Sequence, residues 1–84
     1  MDLQDTIELM VSNDYKERFI AEYCQLKIRY TKLMAMLDKW DADELDFEPT
    51  CPREWYDAQI EAMEQYLDIL TDRAEAEEIE LPVF

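Results

Sequence analysis

Between residues 15 and 40 the apolar side chains recur at helical spacing. Tyr15, Phe19, Tyr23, Leu26, Tyr30, Leu33, Leu37 and Trp40 follow steps of 4, 4, 3, 4, 3, 4 and 3, close to a heptad seam. Ile20, Cys24, Ile28 and Met34 broaden that face. A second series, Tyr56, Ile60, Met63, Leu67, Leu70 and Ala74, runs in steps of 4, 3, 4, 3 and 4, and Trp55, Ala62, Tyr66 and Ile69 widen it. Near the start, Leu3, Ile7 and Met10 make a shorter stripe. The pattern predicts one helical domain over residues 1–84, with helices at about 2–11, 14–40 and 52–77, a loop over 41–51 and an extended tail over 78–84.

Local chemistry supports those boundaries. Asp14 followed by Glu17 has the spacing of a capping box at the second helix. In "LDFEPTCPREW" (residues 45–55) Glu48 precedes a proline and is biased to extended geometry. Thr50 is placed to cap the third helix, with Pro52 in its first turn and Glu54 near its positive end. The expected fold is all-α: a short N-terminal helix across a long antiparallel helical hairpin, ending in an extended tail. Both long helices carry apolar faces wider than one mutual contact covers, so a homo-oligomer is expected.

Charge changes the picture. The chain has 22 acidic and 8 basic residues, a net charge of −14, with no histidine and no glycine. That balance argues against direct DNA or RNA binding and against docking on anionic membranes. The apolar share of 49% argues for a folded domain rather than an acidic tail. Cys24 and Cys51 lack metal-ligand spacing, and "DADELDFE" lacks the glycine of a calcium loop, so no metal or other cofactor is expected. No Ser-His, Cys-His or phosphate-loop arrangement points to an enzyme. The opening "MDLQDT" is acidic, unlike a secretory signal, and cytoplasmic residence is expected.

The charges are unevenly distributed. Residues 15–40 hold six bases and three acids, whereas residues 53–84 hold two bases and ten acids. On the second helix Arg18, Arg29 and Lys32 form a basic line, and Lys27 lies nearby in sequence. These donors suit a small phosphorylated ligand. Trp55, Tyr56 or Tyr66 could stack on its base if an oligomer interface brought them near. On the third helix Asp57, Glu61, Glu64, Asp68, Asp72 and Glu75 share one face. That ribbon is either a solvated surface or a mimic of a nucleic-acid strand, directed at a basic groove on another protein.

The segments "DYKERF", "QLK.RY.KL" and "DF.PTCP" are the most specific of the chain, and over residues 1–81 it resembles a family of small acidic proteins. That family comes from phages and prophages of gut Firmicutes and is related to crAss-like phages. The resemblance implies an accessory protein acting in the cytoplasm of a bacterial host to counter its defences. The architecture is also similar to the helical-hairpin sponges with which phages sequester nucleotide immune signals. The leading expectation is therefore a non-enzymatic oligomeric binder of a nucleotide-derived signal, using Arg18, Lys27, Arg29, Lys32, Trp55 and Tyr56. The alternative is an inhibitor of a host defence protein, such as an anti-CRISPR, acting through the carboxylate ribbon.

Overall fold

The computed structural model describes residues 1–84 and is all-helical. A single 3₁₀ turn, Leu3–Thr6, runs into a short helix α1, Ile7–Met10. Two long helices follow, α2 (Tyr15–Asp41) and α3 (Arg53–Ala76), and residues 79–84 form a tail without regular structure. The molecule measures 43 × 24 × 20 Å, its long axis set by the hairpin. No helix is long and apolar enough to cross a membrane.

α2 is the centre of the fold. α3 packs antiparallel along one flank, and the 3₁₀ turn and α1 pack on another. The first segment differs from its expected stripe. Thr6 is buried, Leu3 and Leu9 are half-buried, and Ile7 and Met10 face solvent. Residues three apart eclipse one another in a 3₁₀ turn, which puts Leu3, Thr6 and Leu9 on one side. The buried Thr6 hydroxyl donates to the Leu3 carbonyl at 2.6 Å and accepts from Gln25 Nε2 at 2.9 Å, so its burial leaves no polar atom unmatched.

The main core closes one end of the hairpin. Phe19, Leu70, Ala74 and Ile79 are buried together, with Ile20, Tyr23, Leu26 and Leu81 packed around them. The tail reaches this core through the last turn of α3. Glu78 adopts φ 57°, the Ile79 amide donates to the Ala74 carbonyl at 2.8 Å, and the Glu78 amide donates to the Glu75 carbonyl at 3.3 Å. This is a Schellman cap, completed by apolar contact between Ala74 and Ile79. The end of α2 repeats it: Asp43 has φ 58°, with Asp43 N to Trp40 O at 3.0 Å and Glu44 N to Lys39 O at 2.8 Å. Acidic residues occupy both left-handed positions, where glycine is the usual choice.

Two caps are built differently from the sequence expectation. Asp14 does cap α2, accepting from the Lys16 amide at 3.0 Å. Glu17, however, accepts from the Ser12 hydroxyl at 2.9 Å, and that hydroxyl takes the Asp14 amide at 3.0 Å. Ser12 thus links the two groups that a capping box would join directly. At α3 the chain stays extended through Pro52 (ψ 147°), so the helix begins at Arg53 and Pro52 is its N-cap. Thr50 lies outside capping reach and is exposed.

Arg53 organises the opposite end. It grips Asp41 with Nη1 at 2.6 Å and Nη2 at 3.3 Å, donates to Asp57 from Nε at 2.9 Å, and lies over the Trp40 ring at 5.2 Å. Trp40 meets Tyr56 edge-on with ring centroids 5.7 Å apart. The Asp41 carboxyl is held below its ordinary range by the hydrogen bonds from Arg53. The end of α2 is thereby tied to the start of α3 across the corner.

Candidate functional site

At about 100° per residue, the side chains of α3 sort into three faces roughly 120° apart. One carries Tyr56, Ile60, Met63, Leu67, Leu70 and Ala74 toward α2. The second carries the ribbon Asp57, Glu61, Glu64, Asp68, Asp72 and Glu75, all exposed. Within it Asp57 pairs with Arg53 and Glu64 accepts from the Tyr30 hydroxyl at 2.9 Å. The other four carboxylates have no protein partner. The Tyr30 phenol is held above its ordinary pKa by that bond to Glu64.

The third face is exposed and largely apolar, with Arg73, one heptad beyond Tyr66, as its one charge. Trp55, Ala62, Ile69 and Ala76 recur every seven residues, with Tyr66 between them. Trp55 is 65% exposed, Tyr66 42% and Ile69 56%. Tyr66 is also tethered to α2, its hydroxyl donating to Glu22, which pushes the phenol pKa up. The seven-residue repeat was visible among the residues that widen the α3 stripe. That surplus width is part of what makes an oligomer expected from the sequence, and Trp55 and Ile69 remain exposed in the single chain.

The cations of α2 are the second conspicuous group. The molecule's ion pairs are made by Arg53 with Asp41 and Asp57, and by Arg73 with Glu77. None of the six bases on α2 has a carboxylate partner, although the chain has 22 acids. Arg18 is exposed and donates to the Ser12 carbonyl at 2.8 Å. Arg29 and Lys32 are exposed one turn apart. Lys27 points the other way, with its ammonium 5.8 Å from the Tyr23 ring centroid and 4.9 Å from that of Phe84.

Lys27 and Lys32 both come close to the folded-back tail. Lys32 lines a cavity of about 160 Å³ with Met1, Ile28, Thr31 and Phe84. Phe84 was not singled out in the sequence, because nothing in a short polar-apolar tail reveals where it folds. A larger hollow of about 330 Å³ lies at the corner between Trp40, Asp43, Leu45, Phe47, Glu48 and Pro49. It holds no basic residue.

The six residues expected to bind a nucleotide do not converge within one chain. Arg18 lies at one end of the hairpin, near Arg73, whose Nη2 donates to the Tyr15 hydroxyl at 3.1 Å. Trp55 and Tyr56 lie at the other end, beside Trp40. Trp55 and Ala76 are 21 residues apart on α3, a rise of about 31 Å. Tyr56 is half-buried, and its phenol pKa is raised by desolvation and by the neighbouring Cys51 thiol. Cys24 is fully buried among apolar groups, and burial pushes its thiol pKa up. No cluster of three His, Cys, Asp or Glu is placed to hold a metal ion.

A family model described as Sequestin matches residues 13–76, from the cap of α2 to the end of α3. No curated protein and no solved structure matches the chain.

Proposed function

Because the chain belongs to the Sequestin family, we propose that it is a non-enzymatic sequestering protein whose captive is a nucleotide-derived immune signal. In this reading it serves a phage or prophage by withdrawing the messenger from a host defence system. The carrying observation is the uncommitted set of cations on α2. In a chain with 22 acids to 8 bases, six bases remain without a carboxylate partner. Guanidinium and ammonium groups left without carboxylate partners are the donors that the phosphates of a nucleotide require. The family name accords with capture rather than conversion.

Isothermal titration with cyclic dinucleotides and with ADP-ribose-type messengers tests the proposal. Saturable heat is expected from at least one of them. Arg18→Glu should abolish it while leaving helical content unchanged. Absence of heat from every messenger would overturn the reading.

The unpartnered carboxylates Glu61, Asp68, Asp72 and Glu75 favour a second reading, an inhibitor that occupies the basic groove of a host effector. Reversing Asp57, Glu61, Glu64 and Asp68 to lysine should then remove inhibition of a nuclease effector and leave messenger binding untouched.

A further inference from the structure

The apolar face of α3 is anomalous for its surroundings. α3 is the main body of a segment with ten acids and two bases, yet between Trp55 and Ala76 the face carrying Trp55, Ala62, Tyr66, Ile69 and Ala76 holds no acid and one base, Arg73. A face kept only for solvation would share in the acidity. Here six of the ten acids lie on the ribbon about 120° away, which on a helix roughly 10 Å across is a separation of about 9 Å, near one Debye length of about 8 Å. For a molecule of net charge −14, this is the surface of α3 on which a like-charged copy meets least repulsion.

The face is also complementary to itself. When two copies of α3 are laid antiparallel about a twofold axis near Tyr66, Trp55 of one falls opposite Ala76 of the other. Ala62 then falls opposite Ile69, and Tyr66 meets its own mate. On either side of the central tyrosine pair, large residues meet small ones along the seam, a self-complementary arrangement that suits an isologous contact.

We propose that a second copy of this chain docks on this face, α3 against α3 in antiparallel register, and that the pairing joins the aromatic end of one hairpin to the cationic end of the other. The register follows from contacts within the chain. Tyr15 meets Arg73 and Trp40 meets Tyr56, so Arg18, one turn beyond Tyr15, is level with the Arg73–Ala76 end of α3. That is the position taken by the partner's Trp55. Arg18 and Trp55, remote within one chain, become neighbours across the axis, twice per dimer. This deepens the sequestering reading by supplying each cation with the stacking surface its own chain lacks. The ligand it would accept is a nucleotide lying with its phosphate on Arg18 and its base on the partner's Trp55.

Disulfide capture tests the register in the full chain. In a Cys51→Ser background, Gln65→Cys lies beside the axis and should oxidise to a covalent dimer. Asp68→Cys, one turn away on the acidic ribbon, should form no covalent dimer. Sedimentation of the native chain should give the mass of two copies, and Ile69→Glu should reduce it to one with helicity retained. A single-chain mass for the native protein, or dimers from Asp68→Cys in preference to Gln65→Cys, would overturn the proposal. Neither measurement involves a ligand. A dimer that binds no messenger would leave this interface standing and remove the sequestering reading instead.

Discussion

Leu70 and Ile69 are adjacent on α3, similar in size and opposite in setting. Leu70 is 0% exposed and touches the core of Phe19, Ala74 and Ile79, whereas Ile69 is 56% exposed. Leu70→Ala removes buried methyl groups and leaves a cavity that neighbours on two helices and a tail cannot all fill, a loss of about 3 kcal/mol. At roughly 0.1 kcal/mol per residue a domain of this size has about 8 kcal/mol in total. With a change near 5–6 °C per kcal/mol, Tm should fall by about 15–18 °C. Ile69→Ala removes the same kind of side chain from solvent and gains slightly in helix propensity, so in the isolated chain it should change stability by less than ~0.5 kcal/mol. Thermal melts followed by circular dichroism, over a hundredfold range of concentration, separate the two. The Leu70→Ala deficit should be present throughout. Any Ile69→Ala deficit should grow with concentration, because association stabilises by mass action. A Leu70→Ala shift below ~5 °C, or equal shifts at high dilution, would refute the placement of the core.

Other consequences are equally direct. Glu78→Gly relieves a left-handed φ of 57° at the C-cap of α3 and should raise stability by about 0.5–1 kcal/mol in urea unfolding, and Asp43→Gly should give less, because aspartate tolerates that region better. Tyr30 and Tyr66 have raised pKa values because their hydroxyls donate to Glu64 and Glu22. Their contribution is complete below the unfolded tyrosine pKa near ~10 and is lost as pH rises through the higher folded values. The Tyr30→Phe, Tyr66→Phe double variant should therefore show a shallower loss of Tm between pH 9 and 12 than the native chain. Arg53→Ala frees Asp41, Asp57 and the Trp40 ring together and should lower Tm in dilute buffer, with the difference shrinking in 1 M salt.

The long-range plan of the molecule was legible in the apolar spacing. Residues 15–40 and 56–74 announce two helices of similar length, and a corner rich in proline leaves them one way to meet. The misreadings arose where the local period changed. A single 3₁₀ turn rotates the N-terminal stripe, so that Thr6 is buried and Ile7 is exposed. No apolar pattern foretells a buried threonine whose hydroxyl is satisfied by Gln25, nineteen residues on. Pro52 could open the helix or stand just outside it, and only its ψ of 147° decides. The site residues were identifiable by type but not by place. Spacing shows that Arg18, Arg29 and Lys32 share a face. It cannot show that Lys27 lies against Phe84.

The corner between α2 and α3 has a kinetic consequence. It contains no glycine, its left-handed position is filled by Asp43, prolines stiffen its second half, and Arg53 bolts its two ends together. Such a joint offers no obvious hinge residue, and the two helices are expected to move as one body. A trap built this way neither opens to admit its captive nor closes over it. Capture should then be a single encounter, with an observed rate linear in ligand concentration and no slow second phase. Release should be governed by the strength of the contacts alone.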